Sequence, residues 1–233
     1  MSELAHRSVP LSGSAGSLEA LFWDVSAERA APPLAAVVCH PHPLFGGTLH
    51  NKVVYQAAKT LHRAGLPVLR FNFRGVGLSQ GAHDGGRGEQ DDVRAALDFL
   101  AGRFPGVALL VAGFSFGAWV GLRVGCEDAR VTELAGLGLP VASVDASYLS
   151  SCAKPKLLVS GDHDQYAPKE KLEAFVAGLP ARAKKRTELT LIAGADHFFT
   201  GHLDELDRAL SAWLAARLAE LALTRSGENP APP

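Results

Sequence analysis

The chain predicts an α/β fold, a mostly parallel twisted sheet with helices on both faces. Three observations predict it. Apolar runs of strand length alternate with stretches of helical periodicity. The central runs, VALLVAGF at 107–114 and LAGLGLP at 134–140, are uninterrupted, as in strands buried on both faces. The first of them breaks at Gly113-Phe114-Ser115-Phe116-Gly117 into a helical pattern, which marks a sharp strand-to-helix turn.

The elements follow in order. SLEALFWDV at 17–25 reads as an early strand, and LAAVVC at 34–39 as a short buried one that ends in the turn-rich HPHPLFGG. A helical pattern covers about 50–64, and LPVLRFNF at 66–73 is a strand that stops at RGVG. The glycine-rich GAHDGGRG leads into a helix at 89–103. The strand 107–114 is followed by a helix that begins at Ser115, and the strands 134–140 and 155–161 come next. Residues 168–178 open on Pro168 and close on Gly178, helix start and stop signals. TELTLI at 187–192 alternates like a last strand. Leu203, Leu206, Leu210, Leu214, Leu218 and Leu221 form an apolar stripe at steps of three and four, a closing helix. The expected organisation is one domain over 1–233 with its core at about 15–222; the residues from 223, ending in SGENPAPP, read as a disordered tail.

Composition narrows the function. Apolar residues make up 47% and charged residues 20%, and the formal net charge is −1. Nothing in that balance calls for nucleic acid or an anionic membrane. The basic cluster Arg182, Lys184, Lys185 and Arg186 reads as a solvated loop edge. No apolar run is long enough to span a bilayer, and the polar MSELAHRSVPLSGSAG lacks the pattern of a signal peptide. Cys39, Cys126 and Cys152 match no metal or redox spacing and read as free thiols in a reducing, cytoplasmic setting.

The strand-to-helix turn points to Ser115 as a nucleophile. Glycines two positions either side clear room around it, and the amides that open the following helix face the reacting centre. The Phe116 amide is then an oxyanion donor. A serine needs a general base. Of the nine histidines, His163, His197 and His202 follow Ser115. His197 sits in GADHFF just after the last strand, where a loop carries an imidazole over the sheet edge; His202 opens the closing helix and reads as a surface residue. The acid belongs in GDHDQYAP. Asp164 has more freedom to face His197, with Asp162, which can hold its own turn, as the alternate. Asp196 adjoins His197, and neighbouring side chains diverge.

The segments HPHPLFGGTLHNKVV, RFNFRGVGLSQG, GEQDD, GFSFGA, GDHDQYAP and GADHFF together make the chain resemble the α/β-hydrolase superfamily over roughly 15–222. More narrowly, it resembles small lidless bacterial serine hydrolases related to the dienelactone-hydrolase branch. That branch carries cysteine as its nucleophile, so its lactone substrate is not carried over. The resemblance implies an α/β-hydrolase fold. It maps the acid of G-x-x-D onto Gly161 to Asp164. It also implies a second oxyanion amide in His40-Pro41-His42-Pro43-Leu44-Phe45. Prolines have no amide hydrogen, which leaves His42, or Leu44 as alternate.

About fifteen residues separate the strands 134–140 and 155–161, too few for a cap domain though enough for a turn of helix. An open site and a full triad together suggest hydrolysis of short acyl esters through an acyl-serine intermediate. Thioester, amide and C–C bond hydrolysis would use the same triad, and a non-catalytic binding protein on this fold is the other class. Phe45, Phe114, Tyr166 and Phe198 are the expected substrate contacts. No cofactor and no metal are expected: the spaced His40 and His42 lack a third ligand, and Gly75-Val76-Gly77 lacks the last glycine of a dinucleotide loop. Arg74, Glu89, Asp91 and Asp92 read as structural. The expected partner is a small-molecule ester; the oligomeric state is not legible.

Overall fold

A computed structural model describes residues 6–25 and 32–226. Eight strands form one sheet: β1 (Arg7–Gly13), β2 (Gly16–Trp23), β3 (Ala35–Cys39), β4 (Val68–Phe71), β5 (Leu109–Phe114), β6 (Val131–Leu137), β7 (Lys156–Gly161) and β8 (Thr187–Ile192). Six helices connect or flank them: α1 (Lys52–Arg63), α2 (Arg87–Arg103), α3 (Phe116–Glu127), α4 (Lys169–Ala177), α5 (Ala181–Lys184) and α6 (Leu203–Ser226).

The strand order is β1-β2-β4-β3-β5-β6-β7-β8. β1, β2 and β4 pair antiparallel, and every pairing from β4 through β3 to β8 is parallel. The chain leaves β3 for β4 on one side and returns to β5 on the other. This reversal places the loops after β3, β4 and β5 around one crevice at the carboxyl edge, where open α/β sheets carry their sites.

Strand periodicity divides the core in two. In β5, Leu109 and Val111 enter one apolar cluster, while Leu110, Ala112 and Phe114 enter the other. Successive side chains of a strand point to opposite faces, so an unbroken apolar run feeds both layers. One layer packs Val93, Ala96, Leu97 and Leu100 of α2 beside Ala118 and Leu122 of α3. The other packs Val54, Ala58 and Leu61 of α1 against Leu206, Leu210 and Leu214 of α6. Burying each such leucine contributes about 2 kcal/mol. Asn51 caps α1 by accepting from the Val53 amide at 2.9 Å. The buried Glu133 of β6 takes Arg217 of α6 at 2.8 Å, which pins the last helix across the sheet.

The expected elements recur with shifted ends, and some features differ. β1 lies ahead of the expected core start. Its burial is one-sided and slight, with only Leu11 buried, as on an edge strand. β6 begins earlier than expected and stops at Leu137, because Gly138 turns the chain at φ 54. The basic cluster begins in the single turn of α5, and its four side chains are exposed as expected. Between β6 and β7 lies one 3-10 turn, Ser147–Ser150. α6 continues past 222 to Ser226, and the tail beyond it lies outside the described residues. Among the described residues no helix is long and apolar enough to cross a membrane, and the three cysteines are free thiols.

Candidate active site

Ser115 stands between the end of β5 and the start of α3 at φ 55, ψ −119, a conformation that L residues rarely adopt. Close packing makes the flanking glycines obligatory. A Cβ at Gly113 would lie 2.3 Å from the Gly117 carbonyl oxygen, and one at Gly117 would lie 2.4 Å from that of His40. The turn is held by the Ser115 amide, which donates to Leu137 O at 2.9 Å, and by Ser115 O, which accepts the Ala118 and Trp119 amides.

The loop after β8 carries His197. Asp196 organises it by accepting the Phe198 and Thr200 amides, and Phe199, at φ 52, is buried as its anchor. The loop after β7 carries Asp164. Asp164 Oδ1 accepts the Tyr166 and Ala167 amides at 2.8 and 3.0 Å. Asp164 Oδ2 accepts the Ser160 hydroxyl at 3.0 Å and His197 Nδ1 at 2.8 Å. His197 Nε2 is 2.9 Å from Ser115 Oγ. Burial alone would raise the Asp164 pKa. The His197 contact and the two amides outweigh it, so the carboxyl stays below the ordinary 3.8. A carboxylate on Nδ1 fixes the proton there and leaves Nε2 free to accept the serine proton.

The structure thus brings Ser115, His197 and Asp164 together. Asp162 instead accepts the Gly194 amide at 2.7 Å and ties the two loops to each other. His202 packs near Glu205 at the start of α6.

The loop after β3 closes the opposite side. His40 is buried; its Nδ1 donates to Pro41 O at 2.6 Å and its Nε2 accepts the Phe73 amide at 2.9 Å. Burial lowers its pKa to about 4, so it is a neutral pin. The His42 carbonyl accepts the Phe45 and Gly47 amides. The Leu44 amide donates to His42 Nδ1 at 3.2 Å and Leu44 is exposed, which removes Leu44 as the alternate oxyanion donor. Among the described residues, the His42 and Phe116 amides have no hydrogen-bond acceptor.

A cavity of about 530 Å³ opens over Ser115. Of the expected substrate contacts, Phe45, Tyr166 and Phe198 line it, as do the two expected oxyanion donors, His42 and Phe116. Phe114 does not. Its position at the end of β5 turns its ring into the core, where it supports the His197 ring from below at 5.1 Å. Phe45 is 85% exposed, at the cavity mouth. Sequence reasoning missed His83, Trp119, Ser143 and Val144, which also line the cavity. Trp119 stands one helical turn beyond Ser115, a spacing that places it on the same face. The loops that carry His83 and Ser143 have no periodicity to reveal them. Arg74 pairs with buried Asp92 at 2.8 Å and holds its own loop. Among the described residues, no cluster of side chains fits a metal ion.

Residues 41–217 match the family described as alpha/beta hydrolase domain. A protein of Rickettsia prowazekii (strain Madrid E), described as uncharacterized, is 36% identical over 87% of this chain and 86% of its own length. The structure of XC6422 from Xanthomonas campestris, described as an α/β serine hydrolase without lid, superposes with a TM-score of 0.81 at 32% identity, covering 99% of this chain and 98% of that one. An α/β serine hydrolase homologue from Coxiella burnetii superposes with a TM-score of 0.80 at 36% identity, covering 91% of this chain and 99% of the other.

Proposed function

The chain belongs to the alpha/beta hydrolase domain family, and from that premise we propose that it is a serine carboxylesterase acting on short-chain acyl esters. The observation that carries the reading is the hydrogen-bonded line from Asp164 through His197 to Ser115, which ends in an open cavity.

Ser115 Oγ attacks the ester carbonyl as His197 Nε2 takes its proton. The negative charge that develops on the carbonyl oxygen is met by the Phe116 and His42 amides, both lacking an acceptor among the described residues. Collapse breaks the bond to the alcohol, which leaves with the proton from His197. A water then gives a proton to His197 and attacks the acyl-serine, and the acid departs as Ser115 regains its hydrogen. Asp164 holds the imidazole in the required tautomer and offsets its positive charge.

Short acyl groups fit because only one 3-10 turn lies between β6 and β7, leaving a long chain without cover. The three free thiols suit the reducing cytoplasm in which we place the protein. Turnover of p-nitrophenyl butyrate by the intact protein, its abolition in Ser115→Ala, and fluorophosphonate labelling that depends on Ser115 test the reading. Undiminished turnover in the variant would rule it out, and faster cleavage of matched thioesters or amides would move it to another leaving group.

A further inference from the structure

Trp119 lines the cavity from α3, and its half-buried indole is held at both ends. Nε1 donates to Asp145 O at 2.9 Å, in the chain that crosses the rim between β6 and β7. The far edge of the ring rests on the backbone of Gly86, where a Cβ would lie 2.5 Å from Cζ3 and 2.9 Å from Cη2. Gly86 is buried at φ 93, so it serves the turn before α2 and also leaves the space that the indole fills. The Phe116 ring meets the indole edge-on, with centroids 5.8 Å apart. Trp119 O accepts the Tyr148 hydroxyl at 2.9 Å, a second tie from α3 to the rim that does not use the indole.

An ester lies across the site in one direction. His197 Nε2 gives its proton to the departing alcohol, so the alcohol sits beside that imidazole. Tyr166 and Phe198 line the cavity there, their ring centroids 4.6 and 5.2 Å from that of His197. Trp119 lies past Phe116, the oxyanion donor, and among the described residues no hydrogen bond or ring contact joins it to His197. The acyl group extends from the carbonyl away from the alcohol, and so toward Trp119. Phe116, Pro140 and Val144 make that end of the cavity apolar, as an acyl chain requires. The indole bridges Gly86 and Asp145 and stops the chain. Behind it stands a residue with no side chain, so a smaller residue at 119 would leave an unfilled slot between the two.

We propose that Trp119 ends the acyl pocket and is the residue that sets the length of acyl chain accepted. This rests on the esterase reading for its chemistry but not for its binding. Gly86 makes room for the indole, and Asp145 O fixes its orientation.

The test varies one side of the ester at a time. p-Nitrophenyl butyrate, hexanoate and octanoate vary the acyl group; ethyl and octyl butyrate vary the alcohol. In the intact protein kcat/KM should be lower for the octanoate than for the butyrate. In Trp119→Ala the octanoate-to-butyrate ratio should rise about tenfold, the factor that two further buried methylenes supply. The octyl-to-ethyl ratio should stay within about twofold. Should the alanine variant fail to fold, Trp119→Leu, which keeps an apolar filler, carries the test with a rise of about threefold in the hexanoate-to-butyrate ratio. General damage to the fold would lower all of these rates without reordering them. An intact protein that takes the octanoate as well as the butyrate, acyl ratios unchanged in a folded variant, or a shift in the alcohol series instead would overturn the proposal. Absence of ester turnover together with absence of Ser115 labelling would defeat the esterase reading alone. The pocket would then be read from calorimetric binding of octanamide, about tenfold tighter to Trp119→Ala than to the intact protein if the indole ends it, with equal affinities overturning it.

Discussion

Asp164 and His197 are joined at 2.8 Å through a carboxylate oxygen that also accepts the Ser160 hydroxyl, so the acid is held from both sides before it holds the base. Both backbone amides on its other oxygen complete the set. Asp164→Asn keeps the shape and reverses one bond. An amide NH₂ facing His197 would force the proton onto Nε2, which then cannot accept from Ser115. We expect kcat/KM for p-nitrophenyl butyrate to fall roughly 10³- to 10⁴-fold. A loss of less than tenfold would remove Asp164 from the machinery.

The backbone at Ser115 makes a second prediction. At φ 55 any Cβ is strained, and glycine is not. Ser115→Gly and Ser115→Ala should both be inactive. The glycine variant should be the more stable of the two, by about 1 kcal/mol in chemical denaturation. Equal midpoints would mean that the turn stores no strain.

His40 predicts a pH dependence of stability. Its pKa is about 4 in the folded chain against an ordinary 6.5. Between those values the unfolded chain takes up a proton that the folded chain refuses. The contribution is therefore complete above 6.5, declines as pH falls, and is spent by about 4, amounting at most to about 3 kcal/mol. Denaturation midpoints of the intact protein and His40→Gln, followed from pH 7 to pH 4, should converge. Parallel curves would contradict the assignment.

Gly117 predicts a packing failure. A Cβ there would lie 2.4 Å from His40 O and 2.5 Å from Cys39 O, both backbone atoms that cannot swing aside. Gly117→Ala should lose about 1–3 kcal/mol and, by pushing the β3 loop outward, should lower kcat more than it raises KM. A variant of native stability and rate would show that the two loops move independently.

The central parallel strands were legible because they are buried on both faces and carry unbroken apolar runs, β8 because it alternates, and α6 because its leucines keep one stripe. β1 was not, because an edge strand with Pro10 and a single buried side chain has almost no apolar pattern to read. The residues of the triad arrangement stood out because each sits in a loop directly after a strand of the parallel sheet. Phe114 was misjudged for the same reason that Ser115 was found: strand alternation decides which neighbour faces the core, and the turn begins one residue later than its ring. His83 left no mark, since its place depends on where a glycine-rich loop folds back onto Glu89.

Between β6 and β7 the chain crosses the rim with a single short turn, while Phe45 stands out in solvent at the entrance. On the proposed esterase reading, substrate and water have no door to wait for. The water that releases the acyl group arrives by diffusion, and turnover should be paced by bond making, with kcat indifferent to added viscogen where a gated enzyme would slow.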